Sequence, residues 1–254
     1  MDLLFLYVLT KMEKTEGLNK NTIAIITAAG WGVRMAGDRP KQFLLLDDRP
    51  ILAVTLSHFQ NCPSIDAIIL VAPEKEIEHC RREVVEPYNL NKVIKIIKGG
   101  KRRQDSVRLG LEASEGIYQI VVIHDGVRPF ISQELIERAV TETRKHRAVI
   151  AALPAKETVK EVDKEGFVLK THNREKIWLV QTPQAFYFKD IMAAHQKAKK
   201  EGWNDITDDA LLMERIRMRV KVIPGSEQNI KITTPHDLEL ARYIIKAQGT
   251  GCKA

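Results

Sequence analysis

Cysteine is scarce in this chain: Cys62, Cys80 and Cys252 are the three in 254 residues, and no two form a Cys-x-x-Cys pair. That argues against a disulfide framework and a structural zinc site, and a reducing cytoplasm is the compartment expected. Aromatic residues make up only 6%. A single-strand nucleic-acid module needs aromatics interleaved with basic residues on one surface, and no such stripe is present. The formal charge of +7 therefore points as readily to a small polyanion, such as a nucleoside triphosphate, as to nucleic acid or an acidic membrane. The apolar stretch MDLLFLYVLT at residues 1–10 is far short of the roughly 20 residues that span a bilayer. It also lacks the basic leading region and small-residue cleavage site of a signal peptide. Residues 1–20 are read as an extension outside the fold, and no membrane partner is expected. Internal repeats and low-complexity tracts are absent.

What is present is ordinary globular composition, 44% hydrophobic and 29% charged, enough for one α/β domain over residues 21–248. Residues 23–28 (IAIITA), 67–72 (AIILVA), 120–123 (IVVI) and 148–153 (AVIAAL) are continuous apolar runs, and 93–97 (VIKII) alternates. Strands apolar on both faces suit a central sheet covered by helices on each side. Between 132 and 147, Leu135, Ile136, Ala139, Val140 and Thr143 recur at helical spacing. Thr234 is placed to cap a helix that begins at Pro235 and buries Leu238, Ala241 and Ile245. This alternation predicts a Rossmann-like, mostly parallel, doubly wound sheet with ligands at the carboxyl ends of its strands. The basic clusters at 144–147 and 197–200 read as solvated helix faces. One stretch breaks the pattern: 158–162 and 167–171, joined by Asp163-Lys164-Glu165-Gly166, read as a β-hairpin with too little apolar surface to stand alone. This projecting arm, about 154–178, is expected to pack against a second subunit.

Five segments carry chemistry. After the first strand comes Ala28-Ala29-Gly30-Trp31-Gly32-Val33-Arg34, followed by Pro40-Lys41-Gln42-Phe43. Small residues there let exposed N–H groups approach phosphate oxygens, and Arg34 and Lys41 add positive charge. The loop lacks the Gly-Lys-Ser/Thr end of a P-loop, and it lacks the timely acid of a dinucleotide fingerprint. Gly-x-Gly alone would fit an ordinary turn; its company of Arg34 and Lys41 does not. Gly99-Gly100 leads into Arg103-Gln104-Asp105-Ser106-Val107, either a nucleotide-lining turn or a plain β-to-α connection. Residues 120–123 deliver Asp125 to a strand end, where a carboxylate oxygen can hold Mg²⁺ beside phosphates; no other histidine has ligand spacing to His124. The last two segments are Gln181-Thr182-Pro183-Gln184-Ala185-Phe186 and Asn229-Ile230-Lys231-Ile232-Thr233-Thr234-Pro235. Lys231 reads as lying inside an alternating strand, facing either a substrate phosphate or solvent at an edge.

Together the ordered motifs AAGxGxRM…PKQF, GGxxRxDSV, HDxxRP, QTPQxF and NIKITTP resemble the 2-C-methyl-D-erythritol 4-phosphate cytidylyltransferase family of the non-mevalonate isoprenoid pathway, over residues 23–247. The resemblance implies a Rossmann-like sheet, a homodimer joined through the β-arm, and a Mg²⁺-dependent transfer from CTP to a polyol phosphate with release of pyrophosphate. It implies that Ala28, Ala29, Gly30, Gly32, Arg34, Lys41, Gly100, Ser106 and Asp125 bind CTP, with Asp125 on the metal. Arg34, Lys41, Arg174 and Lys231 become the catalytic set, and Thr158, Arg174, Thr182 and Lys231 hold the sugar phosphate. The arm residues Thr158 and Arg174 are expected to reach a partner's site. Thr27, Gly126-Val127 and Glu157 depart from the usual Pro, Ala-Ala and Asp. The nearest alternative is ribitol 5-phosphate cytidylyltransferase, whose first loop usually reads Ala-Gly-Gly and whose second usually lacks Asp-Ser-Val; Val127-Arg128-Pro129-Phe130 leans toward it. A nucleic-acid-binding module is the distant alternative, and a fused second enzyme is not expected.

Overall fold

The computed structural model describes residues 21–30 and 40–250. The extension at 1–20, and Gly32 and Arg34 of the first loop, lie outside them.

The apolar runs become the parallel core of a seven-stranded sheet. β1 (Thr22–Thr27), β4 (Ala67–Ala72), β5 (Val93–Lys98) and β6 (Ile120–Asp125) run parallel to one another, with β7 (Ala148–Pro154) and β11 (Lys221–Pro224) beyond them. The spatial order is β11-β7-β10-β6-β1-β4-β5. Only β10 (Trp178–Tyr187) runs against the rest, pairing antiparallel with both β6 and β7. Two short strands, β2 (Leu45–Leu46) and β3 (Arg49–Pro50), form a separate hairpin.

Alternation along each strand feeds two cores. Ala24 and Ile26 of β1, Ile68 and Leu70 of β4 and Val122 of β6 face α1 (Ile51–Asn61) and α3 (Gln133–His146). Ile23, Ile25, Ile69, Val121 and Ile123 face the opposite layer, made by α2 (Arg103–Ala113), α4 (Phe188–Glu201) and α5 (Asp209–Arg215). Each fully buried Ile, Leu or Val contributes about 1.5–3 kcal/mol, so burial on both faces drives the layering. α3 is capped by Ser132, whose Oγ accepts from Leu135 N at 3.2 Å. α6 (Pro235–Thr250) is held at its start by Asp237, which accepts from the backbone N–H groups of Thr233 and Thr234, both at 2.8 Å.

Because β1, β4 and β5 step one way and β6 the other, the order reverses between β1 and β6. A doubly wound sheet places its ligand crevice at that point, outside the strand carboxyl ends. Ala28-Ala29-Gly30 and Asp125 stand there.

The hairpin forms as β8 (Val159–Val162) and β9 (Val168–His172), paired antiparallel between β7 and β10. It stays outside the core, with Phe167, Val168 and Leu169 all more than half exposed. Residues 228–233 are not a strand. The alternation of Ile230, Lys231 and Ile232 arises otherwise: Ile232 is buried in a third apolar cluster with Leu238 and Ala241 of α6, and the segment is tied down by single hydrogen bonds such as Ile232 N to Val127 O, 2.9 Å. Among the described residues no helix is long and apolar enough to cross a membrane.

Candidate active site

Three chain segments are drawn together over the end of β1. The turn Lys41–Phe43 is anchored on both sides of its lysine's successor residues: Gln42 Nε2 donates to Ala28 O at 2.7 Å, and Phe43 is buried against the His79 ring, 4.6 Å between centroids. Buried Gln42 and Phe43 leave Lys41 lining the cleft. From the other side, the start of α2 presses on the same loop. A Cβ at Gly99 would stand 2.2 Å from Ala29 Cβ and 2.9 Å from Ser106 Oγ, and one at Gly100 would meet Asp105 Cβ at 2.3 Å. Both positions demand glycine because of this close approach. Ser106 Oγ accepts from Gly100 N at 3.1 Å and donates to Arg102 O at 3.2 Å, so the hydroxyl orders the loop as well as lining the cleft.

The result is a cavity of roughly 200 Å³ lined by Ala28, Ala29, Gly30, Lys41, Gly100, Lys101, Arg102, Arg103, Ser106, Asp125 and Lys231. Backbone N–H groups at a glycine-rich loop and at the N-terminus of an 11-residue helix, with several cations, suit a polyphosphate. A second cavity of roughly 440 Å³ lies toward β10 and α5, and Arg103, Asp125 and Lys231 line it too. The two cavities therefore meet at these three side chains. That arrangement lets two anionic substrates be held apart at their far ends and brought together at their reactive phosphates.

Asp125 is the centre of the meeting point. Lys231 Nζ lies 2.8 Å from Oδ2, Arg128 Nε 3.4 Å from Oδ2, and Arg103 Nε 3.4 Å from Oδ1. Burial opposes the Asp125 charge, but Arg103, then Lys231 and Arg128, outweigh it and hold the carboxyl ionised well below the usual carboxylate range. His124 plays a different part. It is fully buried, and desolvation pulls it down to about 3, so it is a neutral imidazole. Asp125 N donates to Thr182 Oγ1 (3.2 Å), Thr182 Oγ1 lies 2.9 Å from His124 Nδ1, and His124 Nε2 lies 3.2 Å from Arg128 O. With Nε2 protonated and Nδ1 accepting, the chain closes on the backbone that carries Asp125 and Arg128. Thr27 adds a bond from its hydroxyl to His124 O at 3.3 Å.

The QTPQ segment acts as a clamp. Gln181 Nε2 donates to Ser226 O (2.9 Å), and Gln181 Oε1 accepts from Ser226 N (3.2 Å). Thr182 O accepts from Asn229 Nδ2 (2.7 Å), and Arg128 Nη1 donates to Asn229 O (2.7 Å). This web carries Lys231 to Asp125 without a strand. Gln184 receives Asp209 N on Oε1 at 3.0 Å and reaches Asp208 Oδ2 at 2.8 Å, which fixes the start of α5.

Of the residues assigned from sequence, Ala28, Ala29, Gly30, Lys41, Gly100, Ser106, Asp125 and Lys231 come together around the first cavity, and Thr182 lines the second. Thr158 and Arg174 line neither. They belong to the arm, where Arg174 Nη1 donates to Lys156 O at 2.6 Å. Arg103 and Arg128 were missed. Each is the arginine of a quoted motif, Arg103 in GGxxRxDSV and Arg128 in HDxxRP, but the motifs by themselves do not show that both guanidiniums meet Asp125.

Known proteins share this architecture and sequence. Residues 22–247 match the family described as 2-C-methyl-D-erythritol 4-phosphate cytidylyltransferase. The chain is 44% identical over 231 residues to the protein of that name from Syntrophus aciditrophicus, covering 91% of this chain and 98% of the relative. It is 46% identical over 226 residues to the one from Geobacter metallireducens, covering 88% and 97%. Among solved structures, the 4-diphosphocytidyl-2C-methyl-D-erythritol synthase of Anaerococcus prevotii superposes with a TM-score of 0.79 at 36% identity, over 90% of this chain and 97% of that one. The chain belongs to the 2-C-methyl-D-erythritol 4-phosphate cytidylyltransferase family.

Proposed function

We propose that this chain transfers a cytidylyl group from CTP to 2-C-methyl-D-erythritol 4-phosphate, giving 4-CDP-2-C-methyl-D-erythritol and pyrophosphate for isoprenoid precursor synthesis. The observation that carries the reading, beside the family, is the pair of cavities sharing Arg103, Asp125 and Lys231 at the sheet's switch point. CTP occupies the first cavity, its triphosphate against the 28–30 loop, Gly100 and Ser106. The acceptor occupies the second. A phosphate oxygen of the acceptor attacks the α-phosphorus of CTP in line; one oxygen–phosphorus bond forms as the bond to the β-phosphate bridge breaks, and pyrophosphate leaves with that electron pair. The nucleophile is already an anion, so no covalent enzyme intermediate and no general base are required.

Catalysis is then positioning and charge neutralisation. Lys41 and Arg34 stabilise charge on the triphosphate, and Lys231 draws the acceptor phosphate toward the α-phosphorus. Among the described residues no group of three or more His, Cys, Asp or Glu side chains is placed to hold a metal. Mg²⁺ commonly takes one or two carboxylates, with phosphate oxygens and water completing its shell. A single carboxylate, Asp125, held ionised by its cationic neighbours beside a triphosphate cavity fits that mode. Bound there, the ion would neutralise charge on the phosphates, and Asp125 is the residue that would hold it.

The arm completes the assembly in this reading. Phe167, Val168 and Leu169, with Leu179 and Val180 of β10, are exposed apolar side chains that gain by being covered. A second copy of the chain would cover them in a homodimer, and Thr158 and Arg174 would then meet the acceptor in the partner's site. The test is pyrophosphate release with Mg²⁺ and CTP, offering methylerythritol 4-phosphate and ribitol 5-phosphate in separate reactions. Turnover with the first and not the second supports the proposal; the reverse assigns the acceptor to ribitol 5-phosphate.

A further inference from the structure

Behind the meeting point of the two cavities lies a buried pair of polar side chains that the transfer scheme above does not use. Asp209 opens α5 and is 1% exposed; His195 of α4 is also 1% exposed. Asp209 Oδ2 takes a 2.7 Å ion pair from Arg103 Nη1, and Oδ1 stands 3.3 Å from His195 Nε2. The imidazole sits off the line of a hydrogen bond, so neither of its nitrogens nor Asp209 Oδ1 has a hydrogen-bond partner among the described residues. Arg103 continues the series, with its Nε 3.4 Å from Asp125 Oδ1. The order is thus His195, Asp209, Arg103, Asp125, Lys231, running from the helical layer to the cleft.

Capping does not explain the Asp209 carboxylate. Asp208, its neighbour, caps α5 by accepting from Leu211 N at 3.0 Å, and the Asp209 backbone N–H is taken by Gln184. Both Asp209 oxygens are therefore left for side chains, and among the described residues they meet Arg103 and His195. Arg103 is held against burial chiefly by Asp209 and secondarily by Asp125, which keep its guanidinium charged. Arg103 lines both cavities. A guanidinium tethered at one end only would be drawn onto Asp125 or onto either bound phosphate. Tethered at Nη1 and Nε together, it stands between the cavities.

We propose that Asp209 and His195 are positioning residues for the transfer: Asp209 pins Arg103 between the nucleotide and acceptor cavities, and His195 braces the second Asp209 oxygen. This rests on the activity proposed above. Pinning matters because a displacement near 1 Å at the reacting centre costs on the order of 10²-fold in rate.

The experiment compares the full-length chain with Asp209→Asn, Arg103→Ala and the double variant in CTP-dependent pyrophosphate release, each with its melting temperature. Asp209→Asn keeps the size of the side chain and leaves Arg103 charged. It should lower kcat by about 10- to 100-fold while the KM for CTP changes by less than about threefold. In the Arg103→Ala background the same change should cost less than about threefold, because nothing remains to be positioned. Equal losses in both backgrounds would make Asp209 merely structural and overturn the proposal. His195→Phe, which keeps bulk and removes both nitrogens, should lower kcat less than Asp209→Asn and leave KM in place; a larger loss would contradict the assigned order.

A second reading needs no substrate. In nitrogen-15 NMR of the full chain, a pinned Arg103 shows separately resolved terminal nitrogens, because rotation about its Nε–Cζ bond is blocked. They should merge in Asp209→Asn. Merged signals in the unaltered protein would overturn the pinning. Absent turnover with resolved Arg103 signals would instead count against the proposed reaction alone.

Discussion

Gly99→Ala is the substitution whose outcome follows most directly from the geometry. The added methyl would stand 2.2 Å from Ala29 Cβ and 2.9 Å from Ser106 Oγ. Ordinary contact needs about 3.4 Å or more, so the 28–30 loop and the start of α2 must separate by over 1 Å. Overpacking of this kind costs about 1–3 kcal/mol, which lowers the melting temperature by about 4–8 °C if the cost is about 2 kcal/mol. Kinetics should suffer more than stability, because the same two segments form opposite walls of the nucleotide cavity. A wall displaced by about 1 Å predicts a loss on the order of 10² in kcat/KM for CTP. Gly202→Ala is the control. Gly202 ends α4 at φ +68° with nothing within 4 Å of an added Cβ. It should cost about 1 kcal/mol through backbone strain and leave the kinetics unchanged. Steady-state assays and thermal melts on both variants decide the matter. A Gly99→Ala enzyme with unaltered KM for CTP and unaltered melting would refute the claim that the two loops are in contact.

Lys41→Ala should lower kcat by on the order of 10²–10³ with a smaller effect on KM, as expected for a cation acting on the transition state; near-normal turnover would remove it from that role. Asp125→Asn should cost about 3–5 kcal/mol in urea unfolding, because Arg103, Arg128 and Lys231 lose the anion they share. His124 is held neutral, down to about 3, while in the unfolded chain it titrates near 6.5. The unfolded state thus binds more protons between those values, so this contribution to stability is present above pH 6.5 and lost as pH falls, by about 1.4 kcal/mol per unit. Urea midpoints from pH 7 to 5 should show that slope, reduced in His124→Gln. Phe167→Glu combined with Leu169→Glu should give a monomer by light scattering; a monomeric unaltered chain would refute dimerisation through the arm.

Much of this was legible in the sequence, for a physical reason. Strands covered on both faces must be apolar throughout, so the runs containing Ile25, Ile69 and Val122 declare themselves. β10 did not, because its middle is Gln181-Thr182-Pro183-Gln184, polar residues buried in order to tie down neighbouring segments. Lys231 looked like a strand residue because apolar Ile230 and Ile232 flank it, yet Ile232 serves a separate cluster against α6. The phosphate-loop glycines were conspicuous, although what demands Gly99 is the touch of Ala29, 70 positions earlier in the chain. Arg103 stood in a quoted motif, but its pairing with Asp209 carried no mark, since a buried ion pair between segments 106 residues apart leaves no spacing to recognise.

The most direct test of the central claim follows the atoms. The purified chain would be given Mg²⁺, CTP and methylerythritol 4-phosphate carrying oxygen-18 in its phosphate, and the products weighed by mass spectrometry. In-line attack by the acceptor phosphate predicts 4-CDP-2-C-methyl-D-erythritol holding all of the label, with unlabelled pyrophosphate in equal amount. Label in the pyrophosphate, or CMP without the coupled product, would contradict it.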